Sequence, residues 1–267
     1  LACAGRHAAW DLRAKSSTDR FLALWGQFAA AALLCAVPLV VVGLPDRDAW
    51  PFLAITGVVH VPYVVALGRA YDHGDFSLAY PLARGGGALV AAIGGLVLLD
   101  DRLSVLGWLA VAVVTGGLAS FVRPGTPLPA LLTALFVAAM IGTYTVADTA
   151  GVRRTESVPY ILATFVNVGV AVTLWGVLAG KAAAMRTSMA TMWRRHGVSA
   201  LASVAAYGLV LIAVRRAPVG YVTALRESSV VLAAVAGWRL LDEGFGLARV
   251  ASSAVVVSGL VLLVIAR

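Results

Sequence analysis

The 267-residue chain is 61% hydrophobic and only 13% charged, with a mean hydropathy of +0.91. A soluble domain carries about 25% charged residues, so the composition excludes an ordinary water-soluble fold and points to the bilayer as solvent. The formal charge of +8 does not indicate nucleic-acid binding, because the basic residues sit singly or in pairs between apolar runs, as in loops facing anionic headgroups.

A membrane-spanning helix needs about 20 mainly apolar residues. Runs of that kind, bounded by charges and turn residues, predict ten spans. The first covers about 1–12, and because Leu1 opens inside an apolar stretch this helix is expected to lack its start. The next fall near 21–43, 50–70, 76–99 and 104–122, then, after the linker RPGTPLP, near 128–150, 158–180, 197–214, 217–241 and 247–266. Between the seventh and eighth, KAAAMRTSMATMWRRH (181–196) is too polar to span and is expected to be either a basic interfacial helix or a loop. Cys3 and Cys35 lie in apolar segments and read as small core residues.

The chain repeats itself. Shifted by 142 residues, Arg84 falls on Arg226, Leu98-Leu99-Asp100-Asp101 on Leu240-Leu241-Asp242-Glu243, and Gly117-Leu118 on Gly259-Leu260. GTYTVADTAGVR (142–153) resembles AGRHAAWDLRAK (4–15) at a different offset, 137 residues, with Tyr144 on His7 and Asp148 on Asp11. A repeat of five helices is odd in number, so the second copy enters from the opposite side. The expected fold class is therefore an all-α integral membrane protein of ten transmembrane helices, the first truncated, arranged as two inverted five-helix repeats. Residues 1–122 form the first repeat, 128–267 the second, and 123–127 the linker. Such repeats place a solute site near the midplane.

Charges mark the candidate site. Arg84 and Arg226 each stand about nine residues inside a span, roughly 13 Å deep, close to the middle of a 30 Å hydrocarbon core. An arginine there costs about 2.5–3.5 kcal/mol on insertion scales and normally faces a cavity or a partner. Two structural alternatives remain: Arg84 could snorkel if its helix starts near Pro81, and Arg226 could pair with a carboxylate to lock two helices. Glu227 has no acidic counterpart, since Gly85 occupies its repeat position, which makes it the candidate for proton coupling. His7, Trp10, Asp11, His60, Tyr63, Tyr80, Tyr144, Asp148, Asn167, Tyr207 and Tyr221 are amphipathic candidates for a cavity lining, each weighed against a role in helix–helix hydrogen bonding. Gly85-Gly86-Gly87 lacks the strand and the Lys-Ser/Thr of a phosphate loop, and reads as a site of close packing or flexibility. No zinc-type spacing, GxSxG or His-Glu-x-x-His occurs.

The segment GRAYDHGDFSLAYPLARGGGALVAAIGGLVLLDDRLSVLGW (68–108) resembles the first half of EamA-type transporters of the drug/metabolite transporter superfamily, and RRAPVGYVTALRESSVVLAAVAGWRLLDEGFG (215–246) resembles the second. HAAWD (7–11) is similar to the first-helix pattern His-Ala-x-Trp-Asn, with Asp11 in place of Asn. The resemblance implies two inverted five-helix halves around a central cavity, moving small metabolites. By carry-over, Tyr80, Pro81 and Arg84 match the first motif, Arg226, Glu227 and Ser228 the second, and His7 and Trp10 the first-helix motif.

The function expected is secondary active transport, with export as the direction, of a small organic metabolite by alternating access. The alternative is a membrane-embedded enzyme acting on a lipid-linked or hydrophobic substrate. The expected partners are the lipid bilayer, a small solute of anionic or zwitterionic character and a coupling proton, with no cofactor and no nucleic acid. The expected location is the cell (cytoplasmic) membrane of a bacterium. The family implies both termini in the cytoplasm, whereas about eleven Lys/Arg on the loop side containing 13–20 and 181–195, against seven opposite, favour the reverse.

Overall fold

The structure, a computed structural model, describes residues 20–73, 76–102, 104–122, 126–226 and 246–266. All regular elements among these are helical: α1 (Arg20–Val42), α2 (Trp50–His73), α3 (Phe76–Leu98), α4 (Val105–Ala119), α5 (Leu128–Val152), α6 (Ser157–Leu178), α7 (Ala182–Val214), α8 (Val219–Arg226) and α9 (Gly246–Ile265), with a 3-10 turn at Arg47–Ala49. Six are long and apolar enough to cross a membrane. The first predicted span, 1–12, and the ninth beyond Arg226 lie outside the described residues.

Turn chemistry sets the helix ends. Gly180 closes α6 with φ +74°, while Lys181 N–H reaches Gly176 O at 2.9 Å and Gly180 N–H reaches Val177 O at 3.0 Å. This satisfies carbonyls that the helix would otherwise leave open. The acidic pair after α3 divides the same labour. Asp100 takes the left-handed conformation, φ +57°, and lets Asp101 N–H return to Gly95 O at 3.1 Å. The Asp101 carboxylate then accepts the Val219 N–H at 3.0 Å, capping the start of α8.

The polar segment 181–196 is a helix and not a loop. It continues into the eighth span as α7, 33 residues interrupted only at Met192 (φ −119°, ψ 20°). The cause is local: Ala182-Ala183-Ala184 favours helix, and across the break Ser188 Oγ lies 3.1 Å from His196 Nε2. Low hydropathy kept this segment out of the span count, but helix formation does not require apolar residues.

The described residues divide into two compact units, one built from Ala66–Val146 and Ala217–Arg267, the other from Ser16–Val65 and Ala147–Arg216. Each draws helices from both halves of the sequence. In the first unit α4 packs on α9 and α3 on α8; in the second α1 packs on α6. Members of each pair stand five apart in chain order. The α4–α9 contact is reciprocal. A Cβ at Gly117 would stand 2.9 Å from the Val256 side chain, and one at Gly259 would stand 2.8 Å from the Val114 side chain. Both residues of each contact differ from their counterparts by 142. Gly85-Gly86-Gly87 also serves close packing: Cβ atoms there would meet Leu118 and Val256 at 3.1 Å, Ala138 at 2.9 Å and Ile141 at 2.5 Å.

Filling one of these contacts should be costly. Gly117→Val and Gly259→Val are each expected to lose about 1–3 kcal/mol, as overpacked cores do. Gly116→Ala, with nothing within 4 Å of its added methyl, should be neutral or slightly stabilising. Thermal unfolding in detergent checks all three.

Candidate functional site

Helix α3 carries the first arginine motif. Tyr80 and Arg84, one turn apart and so on one face, are 0% and 6% exposed, and the guanidinium carbon lies 6.0 Å from the Tyr80 ring centroid. That distance permits a cation–π attraction in a poorly solvated setting. Arg226, also 6% exposed, is the last described residue of α8. Neither guanidinium reaches water by snorkelling along the surface.

Contacts fix how α8 runs. Val219 meets Gly95, while Gly220 and Tyr221 meet Ala92, so α8 starts at the C-terminal end of α3 and returns along it. At 1.5 Å per residue, Arg226 lies about 10 Å from Val219 and Arg84 about 16 Å from Gly95, leaving about 6 Å between them along the axis. Helix α5 runs parallel to α3, with Gly86 opposite Ala138, Val90 opposite Gly142 and Gly94 opposite Val146. Tyr144, 5% exposed, therefore stands about 12 Å along α3 from Arg84, with Arg226 between the two levels. Tyr221 belongs to an apolar cluster with Ala92, Ala110 and Leu263 at the start of α8. His7, Trp10, Glu227 and Ser228 lie outside the described residues.

Asp148 belongs to the second unit and is 0% exposed. Its Oδ1 accepts the Thr56 hydroxyl at 2.7 Å and the Tyr160 hydroxyl at 3.1 Å, and its Oδ2 accepts the Tyr207 hydroxyl at 2.6 Å. One carboxylate thus joins α2, α5, α6 and α7 through three neutral donors, filling most of its roughly four lone-pair sites. One turn from Thr56, His60 donates from Nδ1 to Thr56 O at 2.8 Å, and its ring meets Phe28 and Tyr63 edge-on at 5.7 and 5.5 Å. Asn167 binds Leu53 O at 2.6 Å. In this geometry Asp148 and Asn167 hold helices together.

Thr56 and Tyr160 escaped the sequence reading. Tyr160 follows Pro159 and stands one turn before Thr164, whose hydroxyl returns to Tyr160 O, and that polar strip in an apolar span was the available signal. A lone threonine such as Thr56 gives none.

Asp148→Leu removes the acceptor shared by two buried hydroxyls and one half-buried one, and should cost about 2–5 kcal/mol. Tyr207→Phe leaves two donors in place and should cost about 1 kcal/mol. Equal, small losses in thermal unfolding would contradict the shared acceptor.

Comparison with known proteins adds to these observations. A crystal structure superimposes with a TM-score of 0.67 at 16% identity, covering 98% of this chain and 94% of its own, a likeness of fold. No curated protein sequence matches. The model of the EamA-like transporter family matches residues 128–265, just over half of the chain. On that match, this multi-pass helical protein belongs to the EamA-like transporter family, in the drug/metabolite transporter superfamily.

Proposed function

We propose that the protein is a secondary active transporter that exports a small organic metabolite by alternating access, and that Arg84 and Arg226 recognise the solute. The observation that carries this reading is the pair itself. Two arginines, each 6% exposed and 142 residues apart, stand on the packed helices α3 and α8 of one compact unit. Planar guanidinium forks suit the carboxylate or phosphate of a solute. The solute is therefore anionic or zwitterionic.

Helices five apart packing on one another, with the reciprocal contact between α4 and α9, support two inverted repeats over 1–122 and 128–267. The remaining candidates, Tyr80, Tyr144, His7, Trp10 and Ser228, complete the proposed recognition set, and Glu227 supplies proton coupling beside Arg226. Asp148 and Tyr221 enter as supports. The cytoplasmic membrane of a bacterium is the setting this reading assigns. A membrane-embedded enzyme is not favoured, since the family is one of transporters.

Uptake into proteoliposomes from a panel of amino acids, purines, sugars and quaternary ammonium compounds tests the proposal. Arg84→Ala and Arg226→Ala should each lower flux of the transported solute at least about 10-fold, with lysine restoring part of it, since losing a charge-assisted hydrogen bond costs about 1.5–3 kcal/mol. A wild-type protein that moves nothing across the panel, or alanine variants at full flux, would reject it. Glu227→Gln should abolish the dependence of flux on an imposed pH gradient; unchanged pH dependence rules out coupling through this residue.

A further inference from the structure

Helix α1 is almost wholly apolar beyond Arg20, yet places Gln27 in its second turn. Gln27 is 6% exposed and shares a helix face with Leu24 and Ala31, which are 2% and 0% exposed, while the lipid-facing side carries Leu33 and Val37 at 70% and 71%. The amide therefore points into the protein. Its Oε1 is buried and receives no hydrogen bond from the described residues.

This is an exception within the second unit. There, Thr56, Tyr160 and Tyr207 bind Asp148, Asn167 binds a backbone carbonyl, and Ser188 pairs with His196. A buried acceptor without a donor forfeits its hydration, and leucine would fill the space without that loss. Polar residues inside membranes that make no structural bond mark solute routes.

We propose that Gln27 is a solute-contacting residue on a water-accessible route through this unit, its amide oxygen receiving an N–H or O–H donor of the solute. The inference rests on the transporter reading, and gives this unit a hydrogen-bond acceptor for the solute.

The first test needs no identified solute. In a chain with Cys3 and Cys35 replaced by alanine, Gln27→Cys in nanodiscs should react with a charged, water-soluble methanethiosulfonate at least 10-fold faster than lipid-facing Leu33→Cys. Gln27→Leu should keep or raise the unfolding midpoint while lowering flux of the solute that the wild type moves from the same panel. Labelling no faster than Leu33→Cys, a lowered midpoint in Gln27→Leu, or unchanged flux would each overturn the proposal. Fast labelling in a protein that moves no panel solute would reject the transporter reading while leaving the aqueous route in place.

Discussion

Helices in a bilayer gain little by hiding apolar side chains from one another, because lipid tails are as apolar as leucine. What associates them is close backbone approach, which brings many weak dispersion contacts into range, and hydrogen bonds that lipid cannot supply. Both devices recur here. Gly117 and Gly259 bring α4 and α9 together, the glycine triplet lets α3 meet its neighbours, and Gly169 admits Phe28 and Ala32 of α1 against α6. Elsewhere single polar groups do the work: the Trp25 indole donates to Thr173 at 2.9 Å, and Ser120 meets Ser252 at 2.7 Å.

This explains why the first arginine motif is followed directly by three glycines. A guanidinium can be held inside a membrane protein only where surrounding helices stand close enough to exclude lipid. The residues that bring α3 into contact with α4, α5 and α9 begin at the very next position after Arg84. The buried charge and the close packing are adjacent because the first requires the second.

Among the described residues most helix boundaries, the start of α7 excepted, were legible in the sequence to within a few residues, since apolar runs end in a breaker or a charge: Gly43 after α1, Gly180 after α6, Asp100 after α3. Buried charge made Arg84, Arg226 and Asp148 conspicuous for the same reason it is costly. The partners of Asp148 were not legible. Thr56, Tyr160 and Tyr207 are 92, 12 and 59 residues from it, and their convergence depends on how four helices are rotated about their axes. Gln27 was missed for a related reason: an amide in an apolar run looks like any other helix-binding amide until its neighbours are known. Asn167, with a similar side chain, does bind a neighbouring helix.

The carboxylate at Asp148 also imposes an order of events on the growing chain. When α5 enters the membrane, Thr56 is the one partner already synthesised. Tyr160 follows twelve residues later, and Tyr207 only with the second half of α7. Until then the carboxylate has only part of its set of donors. The node therefore closes late, its last donor arriving only with the second half of α7.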